Sequence, residues 1–302
     1  MPMLPEQTFF PHIPFPDAIG AARSVDLHMH SNASDGALSP TALVELCQRR
    51  GLTHIALTDH DTMAGVEEAR RAACALGLTL IAGCELSTRW QGVGIHVVAL
   101  LPRGPGARLE AGLQQLQQAR HERAGVIAAR LERIGLDDAL GKARAQAGGA
   151  RALGRPDFAR ALVEAGLAPD IKAAFKKHLG AGKPGDVKMH WPPLAEVVGW
   201  IVADGGVAAL AHPLRYKLTR RKLGSLLDDF VAAGGQSAEL VSGYQNDDRT
   251  RDLAGLLAKR GLYASLGSDF HFQGGPLAPG AFSSPGRTSL PPVWQHARFA
   301  SA

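Results

Sequence analysis

The residues able to do chemistry recur at the ends of short apolar runs. Asp26-Leu27-His28-Met29-His30 closes the first run, and because side chains alternate along a strand, His28 and His30 project to one side as a ready pair of imidazole ligands. Ser34-Asp35-Gly36 puts a carboxylate in a turn just beyond, and Thr58-Asp59-His60-Asp61-Thr62 closes the second run. Gly83-Cys84-Glu85 ends the third, His96 interrupts the apolar fourth, Ala211-His212-Pro213 ends the fifth, and Gly267-Ser268-Asp269-Phe270-His271 follows the last. A lone buried histidine is more often a hydrogen-bonded core residue than a ligand. Recurrence over six segments outweighs that explanation, because each imidazole or carboxylate in an apolar setting needs a partner, and a divalent cation is the partner such nitrogen and oxygen groups share. The chemistry indicated is metal-dependent hydrolysis. The other histidines, His12, His54, His121, His178, His190 and His296, fall outside strand ends and are read as surface or capping residues.

Seven strands are predicted to position these segments, over residues 24–28, 54–58, 78–84, 94–101, 207–211, 238–241 and 262–267, each rich in Val, Ile, Leu and Ala. Helical patterns separate most of them, such as 40–50 with Ser39 as N-cap and Gly51 past its end, and 65–76 followed by Gly77. Buried strands alternating with helices imply a parallel sheet, and seven units suggest a closed or nearly closed barrel whose strand C-termini gather the six segments on one face. The alternation stops between the fourth and fifth strands. The predicted organisation is an N-terminal arm over 1–22, too rich in proline for a regular element; a barrel from 23–101 and 205–302; and an inserted helical lobe over 102–204. From Gly274 the tail reads as loop before an apolar close at Val293-Trp294.

The chain has 302 residues and 45% hydrophobic content, enough for one large core or one core plus a smaller lobe. Its apolar runs are too short to span a membrane, and residues 1–22 lack the basic start and apolar stretch of a signal peptide, so a cytoplasmic location without a membrane partner is expected. Cys47, Cys74 and Cys84 are odd in number without C-x-x-C spacing and read as small packing residues. The net charge of +5 is uneven: residues 103–188 carry 16 Lys plus Arg against 9 Asp plus Glu, whereas the rest carries 17 against 19. The excess includes Arg120, Arg123, Arg130 and Arg133 on one long helical stretch, with Arg151, Arg155 and Arg160 around a helix start at Pro156. Such a field favours an anionic partner, phosphate or nucleic acid.

In order and spacing, these motifs resemble the PHP family, named for its polymerase and histidinol phosphatase members. Its opening D-L-H-x-H-S-x-x-S-D-G lies over residues 26–36, its T-D-H-D over 58–61 and its G-x-E over 83–85, followed by His96, His212-Pro213 and G-S-D-x-H over 267–271. The resemblance implies an α/β fold, a distorted (β/α)7 barrel with an inserted helical lobe, holding three divalent metal ions, with manganese first and iron or zinc as alternatives. Carried over position by position, the ligands are His28, His30, Asp35, His60, Glu85, His96, His212, Asp269 and His271. The family groups His28, His30, Glu85 and Asp269 at one ion, Glu85, His96 and His212 at a second, and Asp35, His60 and His271 at a third. Residues 153–160 and 176–184 resemble one branch in particular, nucleoside 3′,5′-bisphosphate phosphatases, some of which also act as 5′-to-3′ exonucleases on short RNA. That branch retains the arginine found here as Arg155, and usually has His where this chain has Asp157.

The activity so implied is removal of the 5′-phosphate from a nucleotide that also carries a 3′-phosphate, by in-line attack of hydroxide generated at the ions. Arg155, Arg120, Arg123 and Arg215, with Gly154 and Lys183, are the candidates to bind the substrate and its second phosphate. Asp61, beside His60, is the candidate acid for the leaving group, and is equally placed to orient a ligand or cap the next helix. Trp90, Trp191, Trp200, Tyr216 and Tyr244 are possible walls for the base. The expected partners are a small phosphorylated nucleotide or short RNA, with no obligate protein partner. Two alternatives are a phosphatase for another small phosphomonoester, such as histidinol phosphate, and a non-catalytic PHP module for structure or partner binding. The basic lobe argues against the first, and the complete ligand set against the second.

Overall fold

Each apolar run forms a strand: β1 Val25–Asp26, β2 His54–Leu57, β3 Thr79–Trp90, β4 Val93–Leu101, β5 Val207–Leu210, β6 Ser237–Ser242 and β7 Tyr263–Gly267, in one sheet whose spatial order is the chain order. The structure, a computed structural model, describes residues 14–149, 151–187 and 190–300. Past β1 and β7 the chain stays extended. Leu27 N donates to Leu266 O (3.2 Å), His30 N to Phe270 O (2.9 Å) and Asp269 N to His28 O (2.8 Å), which joins first strand to last and nearly closes a barrel.

The expected parallel sheet needs one correction, because β4 runs antiparallel to both β3 and β5. Only Gln91 and Gly92 separate β3 from β4, too few for a crossover helix. Both have positive φ (45° and 76°), the backbone of the two-residue hairpin turn that matches strand twist. Reversal leaves His96 at the ligand end of the barrel: early in β4, it lies opposite Ser87, which shares a face of β3 with Glu85 two residues before it.

Helices α1 Pro40–Arg49 and α2 Val66–Leu76 follow β1 and β2. Ser39 caps α1 by accepting from Ala42 N, and Gly77, at φ 71°, ends α2. Leu43, Val44 and Cys47 of α1 and Ala69 and Ala73 of α2 pack with Ile55 and Leu57 of β2. Between β4 and β5 come α3 Ala107–Glu132, α4 Ala139–Ala147, α5 Arg155–Glu164, α6 Ile171–Ala174, which runs into a π-helical turn at Phe175–Leu179, and α7 Leu194–Ala203. α8 Arg220–Ala232 and α9 Asp247–Ala258 follow β5 and β6, and α10 Ala297–Ala300 closes the described chain.

Helix α3 joins two cores. It has 26 residues and is therefore about 40 Å long. Leu109 and Leu116 belong to the barrel core, whereas Ile127 and Leu131 pack with Phe158, Leu162 and Leu179 in a separate cluster. Burying each such side chain stabilises by about 1.5–3 kcal/mol. At the other end of the insertion, Leu194, Val197, Val198 and Ile201 of α7, at helical spacing, return to the barrel core. The residues of α3 between its two apolar halves, Gln117, Arg120 and Arg123, are thereby held beside the ligand end of the barrel.

Of the residues expected to form an arm, 1–13, with His12, lie outside the described residues. Phe15 stacks on His54 (4.0 Å between ring centroids) and on Trp294 (5.3 Å), and Ile19 is buried in the barrel core. His54, at the start of β2, is therefore buried, and so is His178 in the π-helical turn; of the two expected placements, surface or cap, neither takes the surface. Among the described residues no helix is long and apolar enough to cross a membrane.

Candidate metal centre

Alternation after β1 sends Leu27 and Met29 into apolar clusters and His28 and His30 together to the ligand face, all four fully buried. Asp26 holds that geometry, accepting from His28 N (3.2 Å), Ser268 N (2.9 Å) and Gly280 N (2.7 Å), although burial raises its pKa to about 6. Asp59 fixes the loop carrying Asp35 by accepting from Ser31 N, Ser31 Oγ and Ser34 Oγ at 2.6–2.8 Å. Asp61, His212 and Asp269 have φ of 53°, 30° and 55°, strained conformations for non-glycine residues, all at strand ends where the site is built.

The nine expected ligands come together. His28 Nε2 and His30 Nε2 are 3.1 Å apart, each 3.2 Å from Glu85 Oε2, and 3.5 and 3.2 Å from Asp269 Oδ1. Four ligands placed tetrahedrally about 2.0–2.1 Å from a cation have edges of about 3.3–3.4 Å, so these distances match the donor shell of one ion. Glu85 Oε1 lies 2.9 Å from His96 Nδ1 and 2.8 Å from His212 Nε2, and Glu85 Oε2 lies 3.0 Å from His60 Nδ1. Asp35 lies 3.4 Å from His271 Nε2, 3.9 Å from His60 Nε2 and 4.0 Å from His30 Nδ1.

Three overlapping sets of converging donors result: His28, His30, Glu85 and Asp269; His60, Glu85 and His96; and His30, Asp35, His60 and His271. The first is the set the family resemblance implies. In the second, His60 joins Glu85 and His96 while His212 reaches only Glu85, and in the third His30 is added.

The donors fit divalent cations. His30 Nδ1, Asp35 Oδ1, His60 Nδ1, Glu85 Oε2 and His212 Nδ1 are buried without a hydrogen-bond partner among the described residues, a costly state that one or more cations would relieve at once. Burial alone would raise the carboxyl pKa values, but His28, His96 and His60 hold Glu85 well below its usual range, His60 and His271 do the same for Asp35, and His28 and His30 for Asp269. Three ionised carboxylates among six imidazoles suit Mn, Fe or Zn alike.

Glu239 of β6 was missed from the sequence. Fully buried, it takes a hydrogen bond from His28 Nδ1 at 2.5 Å and one from His212 N at 2.6 Å. It thereby places the His28 proton on Nδ1 and the lone pair on Nε2, toward the other donors. The signal was available: a carboxylate inside the apolar strand Ala238-Glu239-Leu240-Val241 is the same anomaly that singled out His96.

The candidates for substrate contact divide. Arg120 and Arg123 are buried side by side over the Trp191 ring, 5.5 and 5.1 Å from its centroid. Arg120 Nε donates to Asp61 Oδ2 at 2.6 Å, and Arg123 Nε to Val187 O at 2.7 Å. Arg155 donates to Leu179 O at 3.3 Å with its guanidinium over Phe175. Burial, then Arg155 and Arg120, push the Arg123 pKa down, and burial lowers that of Arg155. Neither Arg123 nor Arg155 is paired with a carboxylate among the described residues. Arg215 instead binds Asp269 Oδ2 and Ser242 O. Gly154, whose N–H is capped by Asp157, lines a narrow polar cleft of about 10 Å³ with Asp35, His60, Arg120 and Arg151.

The structure does not bring Lys183 to this site; it is exposed and opens with Lys176 and Lys177 onto a separate hollow. Asp61 is fully buried, with Oδ1 accepting from Ser87 N at 2.6 Å and Oδ2 facing Arg120. Asp157 binds Arg151 through two hydrogen bonds (2.6 and 2.9 Å) and Arg160 through one (2.5 Å). Trp90 and Trp191 are buried, Trp200 and Tyr216 are half-buried against the barrel core, and Tyr244 is exposed.

The PHP domain description matches residues 26–134. A 3′,5′-nucleoside bisphosphate phosphatase of Chromobacterium violaceum is 40% identical over 251 residues, 83% of this chain and 88% of that protein. A 5′-3′ exoribonuclease of Haemophilus influenzae is 40% identical over 273 residues, 90% of this chain and 98% of that protein. A solved structure from Bifidobacterium adolescentis, described as a candidate metal-dependent phosphoesterase, superposes with a TM-score of 0.75 at 28% identity, covering 85% of this chain and 90% of that one.

Proposed function

The chain belongs to the PHP family and hydrolyses phosphoester bonds, and we propose that its substrate is a nucleoside 3′,5′-bisphosphate, with 5′-to-3′ trimming of short 5′-phosphorylated RNA as the related activity. The observation that carries this reading is the trio Arg120, Arg123 and Arg155, the first two buried and the third half-buried, with Asp61 the one carboxylate in ion-pair contact with them among the described residues. Three clustered guanidiniums that share one ion-paired carboxylate favour an anion, and a guanidinium donates two parallel hydrogen bonds to a phosphate. A second phosphate held there separates a bisphosphatase from a simple monoesterase.

Which phosphate is attacked follows from chemistry common to the two activities. Stepwise trimming from the 5′ end cleaves on the 3′ side of the first nucleotide. One site serving both substrates breaks the bond between phosphorus and the ribose 3′-oxygen and holds the 5′-phosphate on the arginines, the reverse of the order expected from sequence. Water supplies the new P–O bond, and the 3′-oxygen leaves with a proton.

In this reading His28, His30, Asp35, His60, Glu85, His96, His212, Asp269 and His271 hold the divalent ions, three by family resemblance. Such ions, when bound, lower the pKa of water and neutralise phosphoryl oxygens. Glu239 orients His28, and Arg215 orients Asp269. Asp61, both oxygens engaged as acceptors, orients Arg120 instead of supplying a proton.

The test is a panel on metal-loaded protein: adenosine 3′,5′-bisphosphate, 3′-AMP, 5′-AMP, short 5′-phosphorylated RNA and histidinol phosphate. The bisphosphate should be the best substrate and 5′-AMP its product. Preference for histidinol phosphate, or no release from the bisphosphate by fully loaded protein, would sink the proposal.

A further inference from the structure

A second cavity, of about 640 Å³, opens next to the ligand cluster. Asp35 and His271 of the ligand cluster line it, and Phe175, Phe272, Ile171 and Pro156 supply apolar wall. The fold gives no reason for two of these side chains to face outward: Phe272 is 56% exposed and Ile171 40% exposed. Its volume suits a small organic ligand. Charge surrounds it on the lobe side. Arg151 and Arg160 line it, both held in place by the fully buried Asp157, and the Arg155 guanidinium lies 5.8 Å from the centroid of Phe175. One aromatic wall thus carries a guanidinium of the arginine trio, and the cavity shares two metal-ligand candidates, Asp35 and His271, with the ligand cluster.

A nucleoside 3′,5′-bisphosphate has matching parts: two dianionic phosphates on O3′ and O5′ of one ribose, and a planar base that projects from C1′ away from them. We propose that this cavity is the nucleobase subsite, in which the base stacks on Phe272 and Phe175 while the phosphates occupy the arginine trio and the metal centre. The proposal rests on the bisphosphate reading above. Aromatic stacking has no hydrogen-bond code, so the subsite accepts any base, as an enzyme trimming RNA of mixed sequence requires. Phe272 is then an affinity determinant that follows the ligand His271 directly in sequence.

The decisive measurement is calorimetric binding of adenosine 3′,5′-bisphosphate and of ribose 3,5-bisphosphate, which lacks the base, to chelator-treated protein. Wild type should prefer the base-bearing compound by about 5- to 150-fold, the worth of one stacked base. Phe272→Ala should bring the ratio of the two affinities toward one, and Phe272→Trp should restore it. Equal binding of the two compounds by wild type, or an unchanged ratio in Phe272→Ala, overturns the subsite. Failure of the underlying reading looks different: base-dependent binding would persist while metal-loaded protein released no phosphate from the bisphosphate.

Discussion

Arg120 Nε lies 2.6 Å from Asp61 Oδ2, an ion pair with both partners buried that ties helix α3 of the insertion to the loop carrying His60. Gln117, one turn earlier on the same helix, repeats the tie by donating to Asp61 O at 2.7 Å. Removing one member leaves the other charged and dry, so Asp61→Ala should destabilise the metal-free protein by about 3–5 kcal/mol. Adding Arg120→Met should recover part of that loss, because the stranded charge goes too. Chemical denaturation of both variants provides the check, and additive effects of the two substitutions would refute a direct pair.

Arg155 donates to the Leu179 carbonyl and lies over the Phe175 ring, without an ion-pair contact to a carboxylate among the described residues. Arg155→Ala should lower kcat/KM for adenosine 3′,5′-bisphosphate by about 10- to 150-fold, the worth of a charge-assisted hydrogen bond of about 1.5–3 kcal/mol. Activity on 3′-AMP, which lacks the phosphate assigned to the arginines, and metal content should hardly move. Equal losses on both substrates would take Arg155 out of the phosphate site.

Glu239 accepts with both oxygens, one from His28 Nδ1 and one from His212 N. Glu239→Gln replaces one acceptor by an amide donor, so one of the two bonds must break although size is kept. Metal affinity should fall about 10- to 100-fold, read by titration in a metal buffer and elemental analysis. Wild-type affinity in the variant would show that His28 needs no such partner.

Gly267 passes so close to His28 that a Cβ added to it would sit 2.3 Å from His28 Cβ and 2.8 Å from His28 N. Neither backbone can yield without parting β7 from the extension of β1, which carries two candidate ligands. Gly267→Ala should therefore lower the thermal midpoint and weaken metal binding together, with overpacking costing about 1–3 kcal/mol. A variant with wild-type metal affinity would mean that the strands part without disturbing His28 and His30.

The sequence by itself determined the strands and the candidate ligands, for one physical reason: an ionisable group at the end of an apolar run advertises itself, and a run of four to eight residues is a local property. His28, Glu85, His96 and Asp269 were legible in this way, and Glu239 would have been under the same rule applied to β6. The direction of β4 was less visible, because it depends on a two-residue turn with positive φ at Gln91 and Gly92. Tertiary structure alone decided which charges meet. That Asp61 faces Arg120 across 59 positions of chain, that Lys183 points away while Arg155 points in, and that Phe175 and Phe272 line one cavity all depend on how α3 carries the insertion back over the barrel. Periodicity identifies which face of a helix is buried, but it holds no information about the partner that buries it.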